Sequence, residues 1–178
     1  MATDNLHFRN AVPGDADQLQ QLVQSAFRAD DSRQDWIGNL ELAKHFRVDV
    51  EEITAKIANP DTITLMALDN NDALVASIEV SKRVADCGRL SMIAVDERYQ
   101  RGGVGRRVLA YAEDYCRQTW GVKKLSLNAL STRKALIEWY IRHGYRKTGE
   151  TTPFPREKFS NLVIPDDWHF VELEKELQ

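Results

Sequence analysis

The sequence predicts a mixed α/β fold, with about seven strands and four helices in one domain covering residues 1–178. Three observations predict it. Apolar and polar residues alternate in several short runs, three of them in hairpin succession, which implies an antiparallel N-terminal half. Longer stretches repeat apolar residues at i, i+3, i+4 and i+7, the period of an amphipathic helix. A glycine-rich loop then joins a strand to a helix in mid-chain, and a strand follows, as a parallel crossover requires.

The elements follow in order. Leu6 to Asn10 reads as a strand. Pro13-Gly14-Asp15 starts a helix, with Asp15 and Gln18 in a capping-box arrangement and a stripe of Leu19, Leu22, Val23, Ala26 and Phe27. Arg28 to Gly38 reads as loop, and a second helix lies between Leu40 and Ala58, ended by Asn59-Pro60. Ile63–Leu68 and Leu74–Lys82 flank Asp69-Asn70-Asn71-Asp72, a hairpin signal. Leu90–Val95 is a strand, and a helix runs from about Val104 to Thr119. Leu125, Leu127 and Ala129 mark the next strand, and Thr132 to His143 the last helix, stopped by Gly144. Short strands near Tyr145–Thr148 and Trp168–Leu173 finish the chain, with Thr151 to Pro165 as a proline-rich loop.

Composition narrows the function. A hydrophobic fraction of 43% with 29% charged residues is that of an ordinary globular domain. No apolar run is long enough to predict a membrane span, and Met1 to Asn5 lacks the start of a signal peptide. Cys87 and Cys116 stand in no metal-type spacing, and His7, His45, His143 and His169 are scattered. No metal is assigned, and the expected compartment is the cytoplasm. The net charge of -3 speaks against a general nucleic-acid binder. The charge is uneven, with ten acids against five bases between Asp15 and Asp61. Arg98, Arg101, Arg106 and Arg107 crowd one short segment that contains no acid.

That basic segment carries the glycines. Strand, glycine loop and helix together suit phosphate, because successive backbone N–H groups can turn into one concavity at a positive helix end. A P-loop is a poor match, because no lysine follows the glycines. A dinucleotide loop is a poor match, because Val108 occupies the third glycine position.

Three blocks resemble the GNAT superfamily of acetyl-CoA-dependent N-acetyltransferases. Leu90-Ser91-Met92-Ile93-Ala94-Val95-Asp96 is similar to its fourth strand, and Gln100-Arg101-Gly102-Gly103-Val104-Gly105 to its Q/R-x-x-G-x-G/A loop. Trp139-Tyr140-Ile141-Arg142-His143-Gly144-Tyr145 is similar to its aromatic-Tyr-x-x-x-Gly-aromatic turn. Thr148 to Pro155 and Ser32 to Trp36 resemble one bacterial subgroup.

The resemblance implies a central sheet with a splayed parallel pair, acetyl-CoA as cosubstrate, and an amine-bearing small molecule or peptide as acceptor. It implies that backbone groups of Ile93, Ala94 and Val95 hold the pantetheine arm. Gln100, Arg101, Gly102, Gly103, Val104, Gly105 and Arg106 would form the pyrophosphate loop, with Tyr140 beside the thioester sulfur. A homodimer is left open.

Two positions depart from the pattern. The ribosomal-protein alanine acetyltransferases carry a glutamate on the fifth strand where this chain has Asn128, which cannot take a proton. Arg133 replaces an asparagine frequent at the start of the tyrosine helix. Glu79 is the substitute base, on a strand face with Ser77 and Ser81, and a water chain is the alternative. The rival reading is a non-catalytic acyl-CoA-binding sensor or interaction module.

Overall fold

The computed structural model of the protein describes residues 5–29, 47–99, 102–159 and 166–177. Their elements are β1 (His7–Asn10), α1 (Ala16–Ala29), α2 (Val50–Ala58), β2 (Thr62–Leu68), β3 (Leu74–Arg83), β4 (Cys87–Val95), α3 (Val104–Trp120), β5 (Lys124–Leu130), α4 (Lys134–Arg142), β6 (Arg146–Pro153) and β7 (His169–Glu176). The strands form one sheet in the order β1-β2-β3-β4-β5-β7-β6. β1 to β4 are antiparallel, β4 and β5 run parallel, and β7 pairs antiparallel with both β5 and β6. The mixed α/β class and element order are as expected from the sequence.

Helices cover both faces, which is why the middle strands are apolar on both sides. Val75, Ala76, Ile78 and Val80 of β3 are all buried. α3 packs on β3 and β4 through Val104, Val108, Leu109, Ala112 and Cys116, and α4 joins this core through Ile137 and Tyr140. The opposite face meets Leu19, Leu22, Val23 and Ala26 of α1 and Ile53 of α2. The hairpin between β2 and β3 forms at Asp69, whose carboxylate accepts the N–H groups of Asn71 (2.8 Å) and Ala73 (3.0 Å). That is the turn chemistry its sequence announces.

Several boundaries differ from expectation. α2 begins only at Val50, after three non-helical residues; residues 40–46 and the Ser32–Trp36 segment lie outside the described ones. β4 starts at Cys87 rather than Leu90. β6 runs on to Pro153, so Thr151 to Pro153 form strand, not the start of a loop. All eight β6 residues are exposed on an edge strand, so they carry no apolar alternation that could reveal it.

Asp15 does not pair with Gln18 as a helix cap. Its carboxylate turns back to accept two hydrogen bonds from Arg9 (2.7 and 2.9 Å) and one from the Val12 N–H (2.8 Å). A bidentate guanidinium is a stronger partner than an amide, and the pair ties β1 to the start of α1. The hydrogen bonds from Arg9 hold the Asp15 carboxyl below its ordinary value, against the opposing effect of burial.

A folded-state value below the unfolded one stabilises the protein above the unfolded value, and the contribution is lost as pH falls through the folded one. Asp15→Asn is expected to cost about 1–3 kcal/mol at neutral pH. The gap to wild type should close as pH drops below 3.8, the ordinary aspartate value. Denaturant titrations from pH 7 to pH 2 measure it; a gap that does not narrow in acid refutes the assignment.

Candidate active site

β4 breaks its pairing on both edges, and each break has a visible cause. On the β3 side, Ser77 faces Ala94 but Glu79 faces Ser91, so Met92 and Ile93 together oppose Ile78 alone. This is a β-bulge, and Met92 adopts φ 54° to make it. A non-glycine residue in the left-handed region is strained and is held there by its surroundings. On the β5 side, only Cys87, Gly88 and Arg89 pair, with Lys124, Leu125 and Ser126. Beyond Arg89 and Ser126 the two parallel strands part, as the splayed pair requires. The bulge therefore lies beside the cleft that the parting opens.

The chain leaves β4 toward α3 through the glycine loop. Gln100 and Arg101 lie outside the described residues. Gly103 caps α3 with φ 82°, a conformation that glycine adopts without the penalty of a side chain. The Arg107 N–H bonds the Gly103 carbonyl at 3.2 Å. The N–H groups of Val104, Gly105 and Arg106 belong to the first turn, which has no earlier helical carbonyl to bond. Arg106 folds back over this turn: its Nη2 lies 3.8 Å from where a Gly103 side chain would begin. A Cβ on Gly105 would meet Val95 and Trp139 at ordinary distances of 3.9 and 3.8 Å. Protein packing therefore does not demand glycine at position 105, and a ligand approaching the backbone would.

Tyr140 is buried on α4, in the cluster that contains Val104 and Leu127 and against which Ile93 packs. It meets the Tyr145 ring edge to face at 5.8 Å, and its carbonyl accepts the Tyr145 N–H. Tyr145 is anchored in turn, its hydroxyl donating to Glu113 at 2.8 Å and Lys175 bonding the same carboxylate. The turn following Tyr140 is thus clamped to α3 and β7.

Glu79 stands on the other sheet face, opposite the exposed Ser91. Its carboxylate accepts a hydrogen bond from Lys56 of α2 at 3.1 Å. Burial raises the Glu79 carboxyl above its ordinary value, and the Lys56 ammonium only partly offsets that. No sequence spacing links residues 56 and 79, so this partner was missed.

A second polar group crosses four strands on the same face. Glu172 of β7 accepts hydrogen bonds from Arg89 of β4 (2.8 and 3.4 Å), Asn128 of β5 (3.1 Å) and Thr152 of β6 (2.7 Å). Burial pushes the Glu172 carboxyl up, but the hydrogen bonds from Arg89, Thr152 and Asn128 outweigh it and hold the group below its usual value. Sequence reasoning missed Glu172 and Arg89, because only the insertion of β7 beside β5 brings them together.

The profile of the Acetyltransferase (GNAT) family matches residues 18–145. The chain belongs to the GNAT family. A stretch of 66 residues is 38% identical to an amino-acid acetyltransferase of Neisseria meningitidis, covering 37% of this chain but only 14% of that longer protein. The fold is similar to an N-acetyltransferase of Thermoplasma acidophilum solved with coenzyme A (TM-score 0.73, 16% identity, 97% and 99% of the two chains). It is also similar to the ribosomal-protein-S18-alanine N-acetyltransferase of Escherichia coli (TM-score 0.70, 18% identity, 97% and 94%).

In this GNAT protein, no described helix is long and apolar enough to cross a membrane. Among the described residues, no three His, Cys, Asp or Glu side chains are grouped to hold a metal ion. Arg133, at the family's frequent asparagine position, caps α4 and is buried.

The raised Glu79 carboxyl has a thermodynamic signature. A carboxyl whose folded value exceeds its unfolded one stabilises the protein at low pH, and that contribution is lost as pH rises through the folded value. Glu79→Gln removes the effect. The melting temperature of the variant relative to wild type is therefore expected to rise from pH 4 to pH 7. Paired thermal melts measure it, and a constant difference would show that burial does not control this group.

Proposed function

We propose that the chain is an N-acetyltransferase that moves the acetyl group of acetyl-CoA to a primary amine of a small molecule or peptide, by direct attack in a ternary complex. The observation that carries this reading is the doubly broken β4 strand, which ends in a glycine-capped helix N-terminus. Acetyl-CoA supplies an acetyl thioester.

The residues present suit it. Backbone groups of Ile93, Ala94 and Val95 border the cleft beside the bulge, where an extended pantetheine arm can add as a strand-like partner. The loop Gln100 to Arg106 offers first-turn N–H groups and arginine charge to a pyrophosphate. An N–H near Ile93 is suited to stabilise negative charge developing on a carbonyl oxygen.

Tyr140 is assigned to the departing sulfur. A tyrosine near 10 and a thiol near 8.5 make complete proton transfer uphill by roughly 2 kcal/mol. Tyr140 therefore serves the leaving group by a hydrogen bond that strengthens as the sulfur gains charge, with completed proton transfer as the alternative. Glu79 is assigned to accept the amine's proton, directly or through water. Burial improves it as a base by bringing its proton affinity nearer to working pH. Lys56 occupies one of its oxygens, so the exchange involves the other oxygen or an opened pair.

The acceptor is a small cationic or amine-bearing molecule. Between Asp15 and Asp61 acids outnumber bases ten to five. Arg9, from outside that stretch, neutralises Asp15, and Asp49 pairs with Arg47, one of the five bases. Asp17, Glu51, Glu52 and Asp61 remain exposed. Such a field favours ammonium groups and weakens with salt.

Gly103→Glu places bulk and negative charge at the helix start. Calorimetry is expected to show acetyl-CoA binding lost while the circular dichroism spectrum persists; equal affinity in a folded variant sinks the cofactor assignment. Tyr140→Phe is expected to lower kcat by roughly 10- to 150-fold with little change in the KM for acetyl-CoA. Unchanged turnover, with chemistry rate-limiting, removes Tyr140 from the mechanism. Free-thiol release with a panel of amines separates the enzyme from a non-catalytic acyl-CoA-binding module, which would bind without turnover.

A further inference from the structure

Asn128 lies where related enzymes place a proton-accepting glutamate, and its surroundings give it another role. Its neighbour across the strand pair is Glu172. A carboxylate held ionised can only accept hydrogen bonds. The Asn128 amide must therefore turn its NH2 group toward Glu172, and the 3.1 Å contact has this sense. The amide's two ends diverge from one carbon, so Oδ1 is turned away from the Glu172 carboxylate. The strand on β5's other side is β4, from which β5 parts just past Ser126. Asn128 is half-buried there, two residues past the last paired position and within reach of solvent.

Glu172 is not itself suited to receive a substrate group. Arg89, Asn128 and Thr152 direct four hydrogen bonds at its two oxygens, which have about four lone-pair sites. Three of them converge on Oε2, the Arg89 guanidinium covers Oε1, and three strands hold the carboxylate in place. Within this network the Asn128 carbonyl oxygen accepts no hydrogen bond, and Asn128 stands on the strand that borders the parting.

We propose that Asn128 binds the acceptor amine through Oδ1, and that Glu172 is a positioning residue that fixes the orientation of the Asn128 amide. This rests on the N-acetyltransferase reading and adds a specificity determinant to it. Oδ1 takes one N–H of the amine and aligns the nitrogen without removing a proton, a task left to Glu79 or water. A primary amine has an N–H to give Oδ1 and another to lose on acylation. A secondary amine has fewer to spare, so the arrangement favours primary acceptors.

The test uses free-thiol release at saturating acetyl-CoA, with spermidine, benzylamine, glycinamide and L-methionine as probes and the N-methyl form of benzylamine as a control. For the amines that wild type acetylates, Asn128→Ala is expected to raise the amine KM about tenfold, the loss of one hydrogen bond to a charged or polar partner. The KM for acetyl-CoA should not move. Glu172→Gln should raise the amine KM in the same direction, since a side-chain amide in its place no longer dictates which way Asn128 turns. The double variant should be no worse than Asn128→Ala alone, because Glu172 acts through Asn128; a merely structural Glu172 would add its own loss. Calorimetry of the amine on the CoA complex gives a second readout, with the same loss of affinity expected in both single variants. Turnover with an unchanged amine KM in folded Asn128→Ala overturns this inference alone, and additive losses in the double variant overturn the role of Glu172. Acetyl-CoA binding without turnover of any probe overturns the acetyltransferase reading, and this inference with it.

Discussion

The site depends on one constraint: the backbone of β4 must give up hydrogen bonds that a central strand would normally make. Buried N–H and C=O groups are costly to leave unpaired, so a sheet interior does not open without compensation. Here the opening is confined. Cys87 to Arg89 stay zipped to β5, and the rest of β4 keeps β3 on its other edge. The bulge at Met92 and Ile93 shifts the backbone where the strands part. A strand-like ligand that restores the missing hydrogen bonds gains what the protein has left unmade.

Packing keeps that opening from collapsing. α1 rests on β3 and β4 from one face and α3 from the other. Gly88 admits α3 closely: a Cβ there would come within 3.0 Å of a Leu125 methyl and 3.2 Å of the Cys116 sulfur. This contact lies at the apex of the cleft, among the paired residues. The clamp of Tyr145, Glu113 and Lys175 secures the turn after Tyr140 in the same manner. Rigid walls matter because positioning two reactants can contribute several kcal/mol to a transfer reaction.

Charge is arranged in pairs as well as by regions. Lys56 with Glu79 and Arg89 with Glu172 stand on the sheet face that α1 and α2 pack against; Glu79, Arg89 and Glu172 are largely shielded from water, and Lys56 is more exposed. Paired charges cast a weak long-range field but fix local donors and acceptors. The arginines next to the helix start act differently, since Arg106 leans over backbone N–H groups and concentrates positive charge in one turn. The sheet face thus carries fixed, paired charges, and the helix start an uneven positive one.

The sequence by itself determined the class of fold, the order of its elements and the glycine loop. These are local matters: apolar period, turn residues such as Asp69 and the glycine that only the left-handed cap at 103 requires. Strand alternation put forward Glu79, while the resemblance to the GNAT pattern singled out Tyr140 and marked Asn128 as a departure. The bulge was not legible, because methionine at 92 carries no signature of positive φ; its neighbours in the sheet impose it. The Asp15 carboxylate turns back to the Val12 N–H and to Arg9 of β1 rather than forward to Gln18, and the ion pair with Arg9 depends on the approach of β1. β6 escaped its true length because an exposed edge strand needs no apolar residues. The partners Lys56 for Glu79, and Arg89, Asn128 and Thr152 for Glu172, come from elements far apart in sequence. Their meeting was decided by the tertiary structure, through the seating of α2 on the sheet and the insertion of β7 between β5 and β6, which no local pattern encodes.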